Sequence, residues 1–427
     1  MTFQSHFLQE LDKRGFIHQQ TDATGLDKLL EERKPVAAYI GFDCTAKSLH
    51  VGSLLQIIAL RWFQKSGHKP IILLGGGTTQ IGDPSGKDKS RELLTRERIE
   101  ENKQGIAKVF AQYLEIETTY NANSNKAFMV DNAEWLDSLK YIEVLRDVGR
   151  HFSVNRMLTM ESVKQRLDRE QHLSFLEFNY MILQAYDFTV LAKQYGCRLQ
   201  IGGSDQWGNI VQGTELQRHL GAEHSTPLPS IFGLTTPLIT TASGAKMGKT
   251  ADGAVWLDAD MLSPYDYWQF WRNTDDADVG RWLRFFTELS MEEIFALESL
   301  PGSAINDAKK KLADEATRLL HGADAARQAR ETAEKTFEQG ALGVDLPRIT
   351  IARSELEQGI PAYELFHRTG LEDSGGKARK LIQGGGARVN DQKISDEKQL
   401  ISIQDVTADG VIKLSAGKKK HLLIEAA

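Results

Sequence analysis

The sequence predicts an α/β chain: a Rossmann-like, doubly wound parallel sheet, then a helical domain, then a small α+β module. Three observations carry that prediction. PVAAYIGFD, KPIILLGGGT and CRLQIGGSDQWGNI are apolar runs of strand length, each closing on a glycine turn. Segments of helical periodicity separate them, as crossovers between parallel strands require. From about Met261 the pattern turns almost wholly helical, and from about Ile351 it changes to short helices and strand-like VIKLSAG and HLLIEAA. The expected domains are therefore 1–260, 261–345 and 346–427.

In chain order, residues 1–33 carry helix-like spacing in FLQEL and LDKLLEE. PVAAYIGFD follows as a buried strand, then a turn and a helix from about Val51 to Ser66. KPIILLGGGT is the second strand. FNYMILQAYDF, residues 178–188, reads as a buried helix lying between the second and third units. CRLQIGGSDQWGNI repeats the strand, with Ser204 as the cap of the next helix. YDYWQFWRN, RWLRFFTEL and DAKKKLADEATRLLHG supply helices of the second domain, and ALGVDLPRIT reads as a linker. No fixed-period repeat is present. In a doubly wound sheet, ligands bind beyond the carboxyl ends of the strands, so the glycine turns mark where chemistry belongs.

At 427 residues, with 41% apolar and 26% charged residues, the chain has the composition of a soluble globular protein of two or three domains. Its two cysteines, Cys44 and Cys197, are far apart. That excludes a disulfide framework and a zinc knuckle and fits a reducing cytoplasm. MTFQSHFLQELDKRG is polar and amphipathic, unlike a signal peptide, and no apolar run approaches the ~18–20 residues that span a bilayer. No membrane partner is expected. The net charge of −6 is uneven: the last 67 residues carry 11 basic and 9 acidic side chains, a mildly basic tail on an acidic body. Such a tail hints at a nucleic-acid contact.

Four stretches carry candidate chemistry. In the buried helix, Tyr180, Gln184 and Asp187 interrupt an apolar run at spacings of four and three. At about 100° per residue they share one narrow stripe, which either pairs internally or lines a polar pocket. YIGFDCTAKSLHVGS puts His50 at a helix start, where a donor beside a partial positive charge suits a phosphate; by itself a capping histidine is the blander reading. SGAKMGKT sets Lys246 and Lys249 among glycines outside any periodic segment, either a solvated turn or a loop whose ammonium groups close over leaving phosphates. GGGTTQIGDPSGK is not a phosphate-binding P-loop: Gly82 and Gly86 are separated by three residues, and Lys87 is followed by Asp88. Its Asp83 nevertheless lies where the sheet should bind ligand.

HVGS stands where the class I aminoacyl-tRNA synthetases carry HIGH, and KMGKT where they carry KMSKS. With GGGTTQIGDPSGK, HFSVNRML, FNYMILQAYDF, LQIGGSDQWGNI and GLTTPLITTASGAKMGKT in this order, the chain resembles that family along its whole length, most narrowly its bacterial tyrosine-specific branch. Two positions depart: Ser53 replaces the last His of HIGH, and Cys44 replaces the usual Pro after GFD, which would place a thiol near the nucleotide. The resemblance implies that Tyr180 and Gln184 hold the α-ammonium of tyrosine with Asp83 as counter-charge, Gln206 the carboxyl group, and Asp187 with Tyr39 the phenol. Residues seven apart on a helix span about 10 Å, which matches the ring-to-ammonium span of tyrosine. A phenylalanine would leave Tyr39 and Asp187 unpartnered, an effect for which tyrosine-specific synthetases are themselves the usual illustration.

It further implies that Gly41, Asp43, Gly52, Ser53, Gly203 and Asp205 face ATP, with Asp205 on a ribose hydroxyl. His50 and Thr45 would donate to the phosphates, and Lys246 and Lys249 would clamp the departing pyrophosphate. ATP is a substrate that brings Mg2+ with it; no prosthetic group and no protein-bound metal are expected. The carboxylate nucleophile is already an anion, so catalysis would rest on positioning and charge stabilisation. Lys87 and Arg91 would add positive field or meet the tRNA end. PAYELFHRTGLEDSGGKARKLIQGGGARVNDQKI is similar to the RNA-binding module of ribosomal small-subunit protein four, where Lys377, Arg379, Lys380, Arg388 and Lys393, opposed by Asp391, would contact tRNA phosphates. A homodimer is implied, with the dimer-forming insertion inside 1–260. Two other readings compete: a tryptophan-specific synthetase, disfavoured by the Tyr39–Asp187 pair, and a non-catalytic structured-RNA-binding protein, disfavoured by intact His50, Lys246, Lys249, Asp187 and Asp205.

Overall fold

The computed structural model describes every residue except 1, 84–93, 224–227, 243, 245–246, 251–252, 339–345, 408–409 and 418–419, and leaves aside the side chains of 249–250 and 336–338. It divides into two compact units, Met1–Gly322 and Ala323–Ala427.

The first unit is built on a six-stranded sheet of β1 (Gln19–Gln20), β2 (Ala37–Phe42), β3 (Lys69–Leu74), β4 (Phe128–Asp131), β5 (Cys197–Gly203) and β6 (Phe232–Thr236), in the order β1-β6-β5-β2-β3-β4. β6, β5, β2, β3 and β4 run parallel, and β1 caps the edge antiparallel to β6. The three strands expected from sequence are β2, β3 and β5. The two-residue β1 was not expected; it is too short and polar for any periodicity. The chain moves outward from β2 to β4 and then returns to β5 on the other side of β2. The switch point therefore lies between β2 and β5, where Tyr39 is registered with Gln200, and a crevice is due at their carboxyl ends.

Helices α1 (His6–Arg14), α2 (Ala23–Glu32), α3 (Leu54–Lys65) and α4 (Arg96–Tyr113) flank the first half of the sheet. The helix expected from Val51 opens as a 3-10 turn, Val51–Ser53, before α3. Between β4 and β5 come α5 (Ala133–Leu136), α6 (Tyr141–Asp147), α7 (Val154–Leu158), α8 (Glu161–Asp168) and the long α9 (Phe175–Tyr195). A capping box fixes the start of α9: Ser174 accepts from the Glu177 N–H while Glu177 accepts from the Ser174 N–H. Gly196, at φ 62°, ends it in the left-handed conformation. α10 (Trp207–Glu223) follows β5 and packs on α9.

The helical stretch expected at 261–345 forms as α11 (Pro264–Arg272), α12 (Val279–Phe286), α13 (Met291–Glu298), α14 (Ile305–His321) and α15 (Ala323–Glu338). It is shared between the units: α11 to α14 belong to the first, where α12 and α14 pack on α3 and α4. Buried Arg14 donates to the carbonyls of Arg284, Thr287 and Leu289 at 3.2, 3.0 and 2.7 Å, satisfying groups that the end of α12 leaves open. Of the expected linker ALGVDLPRIT, 341–345 lie outside the described residues. Its end runs into strand β9 (Arg348–Ile351), as the β-branched RITI favours.

In the second unit, β9 (Arg348–Ile351), β11 (Ala387–Val389), β12 (Gln392–Lys393), β14 (Val411–Ala416) and β15 (Lys420–Ala426) form a sheet ordered β12-β11-β14-β15-β9. Two shorter pairs are β7 (Lys249–Thr250) with β8 (Gly253–Ala254) in the first unit, and β10 (Ile360–Pro361) with β13 (Leu400–Ile401) in the second. Leu365, Phe366, Ile382, Leu414 and Ile424 join one core beneath α17 (Ala362–Arg368) and α18 (Gly375–Gln383), with α16 (Arg353–Gln358) at its margin.

Candidate active site

A cavity of about 650 Å³ opens at the carboxyl ends of β2 and β5. It brings together Tyr39, Gly41, Asp43, Thr45, His50, Gly52, Ser53, Asp83, Tyr180, Gln184, Asp187, Gly203, Asp205 and Gln206. Lys87, Arg91 and Lys246 lie outside the described residues; Lys249 is placed in β7, and its side chain is not described.

The inner end is buried. Asp187 on α9 is 1% exposed and accepts from Asn132 Nδ2 at 3.0 Å and Trp135 Nε1 at 2.7 Å. Burial pushes its carboxyl up to about 7, against the pull of those two donors. The Tyr39 hydroxyl from β2 is fully buried and has no hydrogen-bond partner. Burial, then the Asp187 charge, hold that phenol well above its ordinary range. Gln200 Oε1, on the adjacent strand and also lining the cavity, is likewise buried without a partner. A buried orphan hydroxyl costs on the order of 1–3 kcal/mol, and one that also lines a cavity can be satisfied by a polar group of a ligand.

Asn132, Trp135 and Gln200 were missed in the sequence. Asn132 also accepts from the Gly77 N–H at 2.8 Å and donates to Thr78 Oγ1 at 3.0 Å, tying the glycine turn after β3 to Asp187. The sole hint was an Asn-x-x-Trp spacing after β4, which says nothing by itself.

Midway, the amides form a network. Gln206 Nε2 donates to Asp83 Oδ2 at 2.7 Å, Gln184 Nε2 to Gln206 Oε1 at 3.3 Å, and Asn209 Nδ2 to Gln184 Oε1 at 3.1 Å. Tyr180, expected beside Gln184, donates to Asp43 Oδ1 at 3.2 Å. It thus ties the stripe on α9 to Asp43, just beyond the end of β2.

At the outer end His50 caps the Val51–Ser53 turn, its Nδ1 accepting from the Gly52 N–H at 3.0 Å. A neutral ring held this way carries its proton on Nε2, as a donor. The segment is pinned to the stretch after KMGKT: Val51 N–H bonds Val255 O, Leu257 N–H bonds Leu49 O, and His50 bridges Trp256. Gly248 sits at φ +103°, and a Cβ there would lie 2.7 Å from His50 Nδ1. The glycine of KMGKT is therefore what lets the two signature segments touch. The Cys44 thiol, expected near the nucleotide, does not line the cavity, although its neighbours Asp43 and Thr45 do. It is buried toward Phe42 O at 3.7 Å, its backbone N–H bonds Thr79 Oγ1, and burial pushes it up to about 12.

In the second unit the five basic residues are exposed on α18 and the β11–β12 hairpin. The expectation that Asp391 alone opposes them does not hold. Asp391 pairs with Lys413 at 3.0 Å, Lys377 pairs with Asp373, and Arg379 meets Glu397 at 3.5 Å while lying over Tyr363.

A carboxylate and a phenol at the buried end of a slot, an amide network midway, and a helix-start histidine on glycines at the mouth of a doubly wound sheet are the parts of an amino-acid-activating enzyme. Residues 31–338 match the family of class I tRNA synthetases (W and Y), and the chain belongs to it. Within that family it stands with the bacterial tyrosine-specific enzymes. It is 58% identical to the tyrosine–tRNA ligase of Bradyrhizobium diazoefficiens over all of this chain and 99% of that one. It is 59% identical to that of Rhodospirillum rubrum over 98% of each. The mitochondrial tyrosyl-tRNA synthetase of Aspergillus nidulans, solved without its C-terminus, superposes with a TM-score of 0.68 at 32% identity, covering 78% of this chain and 94% of that one.

Proposed function

We propose that the Tyr39–Asp187 end of the cavity receives the phenol of L-tyrosine and that the outer end receives ATP. The chain is a tyrosine–tRNA ligase with ATP as co-substrate. The observation that carries the pocket reading is the buried, unpartnered Tyr39 hydroxyl beside a buried carboxylate. A tyrosine hydroxyl placed between them donates to Asp187 and accepts from Tyr39. Phenylalanine leaves both unsatisfied and tryptophan brings no hydroxyl. Asp83, Gln184 and Tyr180 hold the α-ammonium, and Gln206 the carboxyl group.

The tyrosine carboxylate attacks the α-phosphate and pyrophosphate leaves. His50 and Thr45 donate to the phosphates as charge builds, Asp205 takes a ribose hydroxyl, and Ser53 offers its hydroxyl where a second histidine is usual. Lys246 and Lys249 neutralise the leaving pyrophosphate. A magnesium ion brought by ATP would add positive charge at the phosphates; among the described residues no three Asp, Glu, His or Cys side chains are grouped to hold a metal ion of the protein's own. A terminal ribose hydroxyl of tRNA(Tyr) then attacks the carbonyl carbon of the tyrosyl-adenylate, forming the ester and releasing AMP.

The chain works as a cytoplasmic homodimer in three functional parts, 1–260, 261–345 and 346–427. The dimer rests on the exposed apolar side chains Tyr141, Ile142, Leu145, Val154 and Phe175, concentrated on α6, α7 and the start of α9. The basic residues of α18 and its hairpin contact tRNA, with Lys87 and Arg91 near its acceptor end. Tyrosine-dependent ATP–pyrophosphate exchange tests the pocket: exchange stimulated by tyrosine and not by phenylalanine or tryptophan supports it, and equal stimulation by phenylalanine sinks it.

A further inference from the structure

A second cavity, of about 550 Å³, lies at the opposite end of the same sheet. Ala37, Lys69, Arg198 and Ile231 line it, at the amino ends of β2, β3, β5 and β6, whereas the tyrosine slot opens at the carboxyl ends. Its apolar wall comes from Leu29, Val36, Leu220, Leu228 and the ring of Tyr120.

Its charge is one-sided. Arg33, Lys69, Lys193 and Arg198 line it, and no acid does among the described residues. Lys69 is neutralised by Glu117. The other three have no carboxylate partner among the described residues; the Arg198 guanidinium, half-buried, donates only to Ser230 O, at 2.5 Å. Burial and the neighbouring Arg33 charge pull that guanidinium below its ordinary value. Two like charges crowded on a partly apolar wall are unfavourable without a counter-ion, and the cavity is large enough for a small organic molecule.

We infer that this cavity is a binding site for a phosphorylated ligand with an aromatic or aliphatic body, the phosphate meeting Arg33, Lys193 and Arg198 and the body lying on Tyr120, Leu29 and Leu220. Three cations match a phosphate dianion better than a carboxylate, and the fork of an arginine suits its oxygens.

1-Naphthyl phosphate is the probe, titrated by its own fluorescence against the full-length chain, first alone and then with saturating tyrosine and ATP. One saturable site per chain is expected, with 1-naphthoate weaker and 1-naphthol weaker again by at least about tenfold. Arg198→Ala is expected to weaken the phosphate about tenfold. Because Arg198 also holds a loop carbonyl, Arg33→Glu and Lys193→Glu, both at exposed positions, are measured beside it and should each weaken the probe several-fold. Absence of saturable binding, loss of binding when tyrosine and ATP are added, affinity unchanged in all three variants, or tighter binding of 1-naphthoate would each overturn the assignment.

Discussion

The two ends of the central sheet carry cavities of opposite sign. At the carboxyl ends Asp43, Asp83, Asp187 and Asp205 line the slot and, among the described residues, no lysine or arginine does. At the amino ends four basic residues line the other cavity and, among the described residues, no acid does. The acidic walls suit an ammonium and hydroxyl groups; they repel a triphosphate. An enzyme whose fixed walls are acidic must bring its positive charge from elsewhere. KMGKT, joined to the His50 segment through Gly248, is the sequence that can supply it.

The predictions probe that contrast. If the acidic slot depends on imported cations, Lys249→Ala should slow adenylate formation by on the order of 10²–10³ while leaving the tyrosine dissociation constant unchanged. Equal loss in both, measured by stopped-flow fluorescence and equilibrium binding, would show that the lysine acts before the transition state. Asp187→Ala should weaken tyrosine by about a hundredfold and leave phenylalanine nearly untouched, because it removes the acceptor for the ligand hydroxyl and strands Asn132 and Trp135. Retention of the wild-type preference would break the pocket assignment.

A pH titration sharpens the same point. Burial pushes the Asp187 carboxyl up to about 7, and a hydroxyl donor brought by tyrosine would stabilise its ionised form, so its pKa should fall when tyrosine binds. Tyrosine affinity should be flat above pH 7 and decline below it, by at most about tenfold per unit. Phenylalanine affinity, measured by calorimetry over the same range, should not follow. Ile142→Glu with Phe175→Glu should halve the mass seen by sedimentation at micromolar concentration; an unchanged mass would place the interface elsewhere. Smallest, Arg388→Ala with Lys393→Ala should weaken tRNA a few-fold and flatten the log–log salt dependence by about two, with tyrosine-dependent exchange unaltered.

What the sequence determined alone is whatever short-range pattern encodes. The glycine-ended apolar runs became β2, β3 and β5, the Ser174–Glu177 cap and Gly196 delimit α9, and the stripe of Tyr180, Gln184 and Asp187 does line one slot. Those features depend on periodicity and on residues a few positions apart. Tertiary structure decided the rest. Asn132 and Trp135 reach Asp187 across more than fifty residues, Tyr180 turned to Asp43, and the Cys44 thiol went into the core. The basic tail acquired acidic partners, and a cationic cavity assembled from four strand ends. Each is a contact between segments remote in the chain, and which side chain satisfies a buried polar atom is fixed only when packing brings them within hydrogen-bond reach.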